Sequence, residues 1–363
     1  MDLPLQIYTG AWDTIHIQGI GIDAKREYIY YSFTTVLVKA NLKGEIIGTV
    51  TGVYGHLGCL AYCPAENRVY ASLEFKNDAI GKMVQKNTNA GEYPEESFHI
   101  AIFDCEKIDR ANMDAFGDGV MVTVRLHTVA DDYTAKVGSG GNAIRHRYGC
   151  SGIDGISFGP DFGSKGGKHY LCVAYGIYSD AARRDNDHQV ILQYDISGWP
   201  EYESSGGLGK RGVEAPRGKY FVYTGNTKWG IQNLEYDPHT HRWLAAVYRG
   251  SKRTFPNYTL FSIDGGAEPE LGFLRGVGET GSVLALSKDG LFDEKSGIYG
   301  YECYDAGSGK DENSVCTTGM ASLGDGRFYI SHAGRGKEGS FSNIYLCRWT
   351  GGTPCPFEMA GPA

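Results

Sequence analysis

HIQGIGID, residues 16–23, is followed after a short polar turn by EYIYYSF (27–33) and then by VLVKANL (36–42). The same order of a small-residue strand, an aromatic strand and a strand with a polar end recurs four more times. HLGCLAYC from His56 leads to RVYASLEF and HIAIFDC, and GIDGISFG from Gly152 leads to HYLCVAYG and VILQYDI. GIQNLEYD from Gly230 leads to RWLAAVYRG and YTLFSID, and TTGMASLG from Thr317 leads to RFYISHAG and NIYLCRW. Each unit is strand-sized and too small to bury its own sheet faces, so the units must stack on one another. Such a repeat predicts an all-β fold, a five-bladed β-propeller with one repeat per blade and a single domain over residues 1–363.

A four-stranded blade needs one more strand per repeat. EIIGTVTG from Glu45, VMVTVRLH from Val120, KYFVYTG from Lys219 and LGFLRGVG from Leu271 are the candidates for the first four blades. After NIYLCRW only GGTPCPFEMAGPA remains, a poor strand. LQIYTGAWDTIHIQGI from Leu5 matches FVYTGNTKWGIQNL from Phe221, including the Tyr-Thr-Gly that precedes the next inner strand. The N-terminal segment is therefore expected to complete the last blade, which protects an otherwise unpaired edge. Residues 282–314 are read as a hairpin inserted on the fifth blade, the alternative being a degenerate sixth blade.

Composition agrees with many short strands and tight turns: 52 Gly and 25 Tyr in 363 residues. The formal net charge of −8 and the lack of Lys/Arg-rich runs argue against a nucleic-acid partner. No apolar run approaches the length needed to cross a bilayer, so no membrane association is expected, and with Met1 as the native start the expectation is a cytoplasmic protein. The nine cysteines alternate with apolar strand residues, as in YLCVAY and IYLCRW, and read as reduced structural thiols. Cys59 and Cys63 do not suggest a zinc site.

A propeller brings the starts of its inner strands and the ends of its second strands to one face. The long polar insertions 76–97, 131–149, 176–188 and 282–314 fall there, whereas 196–218 lies on the other face as a Gly-rich loop. Alignment of the inner strands puts Gln18, Gly58, Asp154, Gln232 and Thr318 at one axial level, with His16 and His56 one step nearer the mouth. Glu74, Tyr175, Arg249 and His332 end second strands on that face. Glu74, Asp154, His56, His332 and Tyr175 are the candidate catalytic groups. Arg249, Gln18, Gln232, Trp229, Tyr178 and His188 are the candidate substrate contacts. The alternatives are structural: a backbone-bonded carboxylate for Asp154, a salt bridge to Lys76 or Arg249 for Glu74, and packing for the tyrosines. Trp12 and Trp229 precede inner strands as possible platforms, while Trp199, Trp243 and Trp349 read as blade packing. ARRDNDHQ, residues 182–189, holds close-spaced oxygen ligands but does not match a calcium loop, and GSGGNA from Gly138 lacks the context of a phosphate loop.

The five openings and the N-terminal closure resemble the five-bladed propellers found among carbohydrate-active proteins, calcium-dependent nucleotidases and a sugar-binding lectin. The resemblance spans nearly the whole chain and is architectural. It implies carboxylates projecting into a central funnel, sometimes with an axial divalent cation; Asp13, Glu74, Asp154 and Glu279 stand at compatible places. The chain departs from that pattern where its inner strands supply Gln, Gly and Thr. Three functions follow, each with a saccharide partner. The favoured one is a glycoside hydrolase using Glu74 and Asp154. The second is a lyase on a uronate-containing saccharide, with Arg249 or a cation offsetting the carboxylate and His56, His332 or Tyr175 moving the proton. The third is a non-enzymatic sugar-binding propeller.

Overall fold

The computed structural model describes residues 3–138, 143–304 and 315–361. The Gly cluster after Gly138 continues into 139–142, and residues 305–314 of the long insertion also lie outside the described residues.

Five sheets form the predicted five-bladed propeller, and all five openings are its inner strands. They run Ile17–Ile22, His56–Cys63, Cys150–Gly159, Lys228–Asp237 and Met320–Ser322 in blades I to V. Each inner strand packs against that of the next blade, and the fifth packs against the first. The apolar side chains divide into five cores, one at each seam between neighbouring blades. This explains why the second strands are apolar at successive positions instead of alternating. In Tyr170–Ile177, Leu171, Val173 and Tyr175 enter the II–III seam while Cys172 and Ala174 enter the III–IV seam.

The N-terminal strand Gln6–Tyr8 pairs antiparallel with Gly339–Trp349 of blade V, Ile7 opposite Ile344, and Ile7 is buried in the I–V seam. The other half of the same edge is covered by Phe357–Met359, so the C-terminal segment read as a poor strand does pair, with Cys347–Trp349. Both chain ends thus share one outer edge.

The strand expected to complete blade IV lies elsewhere. Glu270–Leu274 pairs with Glu279–Val283, and this hairpin lies against Gly218–Tyr223 of blade III through Tyr220 and Phe221. The same detour occurs twice more between third and fourth strands. Residues 113–114 cap blade I, and Ser204–Ser205 with Gly212–Val213 cap blade II, so part of the expected surface loop 196–218 is sheet. Each detour covers the outer edge of the preceding blade and satisfies backbone groups left open there. Blade IV is instead closed by isolated bridges from Leu286 and Tyr301 to its third strand, and the hairpin Leu291–Asp293 with Ile298–Gly300 hangs between them. The insertion therefore belongs to blade IV and not to blade V, and no sixth blade forms from the described residues.

Trp199 and Trp243 are buried, and Trp349 packs on Phe328 and Phe357, as expected of blade packing. All nine cysteines are free thiols, eight of them buried. Among the described residues no helix is long and apolar enough to cross a membrane.

Candidate functional site

The inner strands of blades I to IV slip register at the axis: between Ile17 and Gly19, Leu57 and Leu60, Ile153 and Ile156, and Ile231 and Asn233. A slip of this kind leaves a residue unpaired and re-aims its side chain. Gln18, Gly58, Asp154 and Gln232 are the residues so placed. Just below them the axis is tied shut. Asn233 Nδ2 lies 2.9 Å from the Gln18 carbonyl and 2.8 Å from that of Thr317, and Cys59 Sγ lies 3.3 Å from Asn233 Oδ1 and 3.7 Å from the Ile156 carbonyl. One amide and one thiol thereby link all five blades, and burial pushes the Cys59 thiol up to about 12, which keeps its proton in place.

Above this knot opens a cavity of about 560 Å³. Its floor holds Gln18, Asp154 and Gln232, its wall His16, His56, Glu74 and Lys76, and its rim Trp229, Lys228, Tyr248 and Arg249. The opposite rim is apolar, formed by Ile80 and Met83 of a helix, Ala79–Thr88, within the 76–97 insertion. That helix starts where Asp78 Oδ1 accepts from Gly81 N and stops at Asn89 in the left-handed region.

Glu74 is sealed. Its Oε2 lies 2.7 Å from Lys76 Nζ and 3.5 Å from His56 Nδ1, and its Oε1 accepts from Ile153 N. Gly152, with φ of +124°, allows this approach, because a Cβ there would collide with Oε1. Lys76 Nζ also donates to the Ser151 carbonyl at 2.6 Å. Burial opposes its charge, but Glu74, Asp78 and Asp154 outweigh burial and hold its pKa above the ordinary lysine value.

His56 faces Glu74 with Nδ1, while its Nε2 lies 3.2 Å from Gln18 Nε2. The same amide nitrogen lies 3.0 Å from Thr34 Oγ1 and 3.4 Å from His16 Nε2. His16 Nδ1 donates to the Ile17 carbonyl at 2.7 Å, and burial lowers its pKa, so His16 is neutral with its Nε2 lone pair turned toward Gln18. Asp154 Oδ2 accepts from Gln232 Nε2 at 3.1 Å. Burial first, then the charge of Glu74, pushes Asp154 up to about 7.

Of the candidate residues, the cavity gathers Glu74, Asp154, His56, Arg249, Gln18, Gln232 and Trp229. Tyr175, Tyr178, His188 and His332 do not line it. The register explains Tyr175: His56 pairs with Glu74, but the equivalent Gly152 pairs with Gly176, so Tyr175 is one residue off and faces the II–III seam. Its hydroxyl donates to Asp132 Oδ2 at 3.0 Å. Tyr178 sits behind the wall, where its hydroxyl donates to Asp78 Oδ2 at 2.8 Å and its ring meets Trp229 edge-on. His188 lies on a third strand, buried against Tyr223, and burial lowers it to about 4. His332 packs edge-on against Tyr345 of the third strand of blade V. Thr318 is bonded to Ser331.

Trp12 is no platform: its indole donates to the Thr9 carbonyl and its ring packs toward Phe33. Glu279 is paired with Arg147 far from the axis, and Asp13 is not among the lining residues. In the loop 181–188, Asp185 is paired with Arg183 and Asp187 with Lys252, which removes its carboxylates as metal ligands. Lys76 already provides the positive charge beside Glu74, and among the described residues no three His, Cys, Asp or Glu side chains are grouped to hold a metal.

The sequence offers Lys76 only as a salt-bridge partner of Glu74, which it is, and its reading passes over Tyr248, Thr34 and Ser151, which line the cavity, while His16 stays outside the candidates. A signal for two of these was present. Thr34 and Tyr248 occupy, in blades I and IV, nearly the strand position that Glu74 holds in blade II.

No protein-family model matches the chain, and no curated protein does. Among solved structures it is similar to the PQQ-bound form of an aldose sugar dehydrogenase from Streptomyces coelicolor, at 12% identity over 95% of this chain and 100% of that one, with a TM-score of 0.34. A superposition that loose carries no argument about substrate or cofactor.

Proposed function

We propose that the axial cavity belongs to a lyase that eliminates the glycosidic oxygen beside the carboxylate of a uronate-containing saccharide. The observation that supports this over an acid-pair hydrolase is the sealing of Glu74. With a side chain 1% exposed and both oxygens engaged, it backs His56 instead of facing a substrate. A carboxylate behind an imidazole fixes its tautomer and its orientation, which suits a base. Gln18 covers His56 Nε2, yet its amide has Thr34 Oγ1 and His16 Nε2 as alternative acceptors, so it can release the imidazole.

In this reading Arg249, with Lys228 beside it, pairs the substrate carboxylate and stabilises the charge that develops on it as the adjacent C–H is broken. His56 Nε2 takes that proton. The electron pair forms the carbon–carbon double bond while the bond to the glycosidic oxygen breaks, and Asp154, protonated for part of the population near neutral pH, gives the leaving oxygen its proton. Trp229 and the Ile80–Met83 wall bind the apolar faces of the sugar.

Asp154 also supports a second reading. A carboxylic acid at about 7 is poised as the acid of a glycoside hydrolase, with the base drawn from the histidines. Incubation with neutral and uronate-containing oligosaccharides separates the two. Elimination gives an unsaturated product that absorbs in the ultraviolet, and hydrolysis gives new reducing ends without it. His56→Ala and Asp154→Asn are each expected to lower kcat by about 10²–10⁴-fold in a fold of unchanged melting temperature. Full activity in both variants would move the chemistry away from the axis.

A further inference from the structure

We infer that an acidic saccharide chain extends out of the axial cavity over the rim between blades III and IV, along a cationic shelf built by residues 181–187 and 249–254. The inference rests on the uronate reading above and adds that the substrate is a chain longer than the axial cavity holds. Arg249 and Gly250 line the axial cavity, and the next four residues, Ser251–Thr254, line a shallow depression of about 560 Å³ together with Ala181–Arg184 and Asp187. Along these stretches Arg183, Arg184, Lys252 and Arg253 stand against two carboxylates, Asp185 and Asp187, on a chain whose net charge is −8. Charge of one sign gathered on the site face of an acidic protein favours a polyanion at that place.

The shelf is also held rigid. Lys252 Nζ donates to Asn186 Oδ1 at 2.7 Å and is paired with Asp187, which fastens the two loops together. Arg183 pairs with Asp185 and donates to the carbonyls of Arg145 and His146. These two cations are used internally and position the others. Arg184 and Arg253 remain exposed and present their guanidinium groups to solvent. A planar fork at each position suits the carboxylates of successive uronates.

The test compares the full-length protein with Arg184→Ser/Arg253→Ser on a series of oligouronates from disaccharide to polymer. The wild-type kcat/KM is expected to rise with chain length and to lose that rise as salt screens the shelf. In the double variant the polymer-to-disaccharide ratio should fall by about tenfold. An unchanged ratio at an unchanged melting temperature would overturn the shelf while leaving the lyase reading intact. If wild type cleaves no uronate, that reading fails first, and the shelf is tested by calorimetry on His56→Ala protein. Affinity that grows with oligouronate length and is lost with the two arginines supports it. Length-independent affinity, or equally tight binding of single-stranded nucleic acid, overturns it.

Discussion

At the upper mouth of the axis a buried carboxylate, Glu74, meets Lys76 Nζ at 2.7 Å and faces His56; at the lower mouth Glu235 meets only neutral donors. Ser322 N donates to Glu235 at 2.7 Å and Ser157 Oγ lies 3.3 Å away, in a depression of about 250 Å³. Burial pushes Glu235 up to about 8, so it is largely a neutral acid at neutral pH. The same inner strands serve both mouths. What differs is what arrives from outside them: the upper mouth receives second-strand ends and long loops, and these bring Lys76 and Arg249, whereas tight turns such as 238–241 close the lower one. An inner strand can bury a carboxylate anywhere along the axis, but a charged, reactive group needs a counter-charge from a longer connection.

The comparison breaks most completely if the ring opens. Deleting residues 1–12 removes the strand that pairs with blade V and the Ile7 side chain from the I–V seam, and both mouths should be lost together. The expected result is loss of cooperative melting by circular dichroism, and a truncated protein with the parent melting temperature would refute ring closure as the organising contact.

Lys76→Met is the next largest effect. It leaves Glu74 buried without its cation, which costs about 3–5 kcal/mol in urea denaturation. Adding Glu74→Gln to it should restore part of the loss, because the uncompensated charge is then gone. A double variant no more stable than Lys76→Met would mean that the two residues do not act as a pair.

The smallest effect sharpens the lower mouth. Glu235 and Asp154 both have folded pKa values above their ordinary ones, about 8 against 4.5 and about 7 against 3.8. The unfolded chain therefore gives up these protons first, so their contribution to stability is fully present below about pH 4 and is lost as pH rises toward 8. Glu235→Gln should be nearly neutral in mild acid and should flatten the decline between about pH 5 and 8, measured as melting temperature against pH. A decline unchanged by the substitution would show that Glu235 ionises in the fold as readily as in the unfolded chain.

Much of this architecture is legible in the sequence because repeats are local. The HIQGIGID-type openings mark every inner strand, and the Tyr-Thr-Gly shared by residues 8–10 and 223–225 marks the closing strand. Glu74, Asp154, His56, Arg249 and Trp229 are also found by position, since a polar residue at a strand end next to the axis has few other places to go. The failure at Tyr175 is one of register. A one-residue offset sends Tyr175 into a seam while Glu74 reaches the cavity, and no pattern within YLCVAYG distinguishes the two. Leu271 begins a sound strand, but which blade edge it joins depends on a partner 50 residues away, Tyr220–Phe221 across Ser282–Val283.

By itself the sequence determined the five repeats, the closure of the ring by its N-terminal strand and the face that carries the cavity, because strand period and turn chemistry act within each repeat. The tertiary structure alone decided that Lys76 neutralises Glu74, that Gln18 bridges two imidazoles, and that Asn233 and Cys59 tie the axis. These contacts join residues from different blades, and their energies depend on burial and counter-charge, which exist only once the ring has closed.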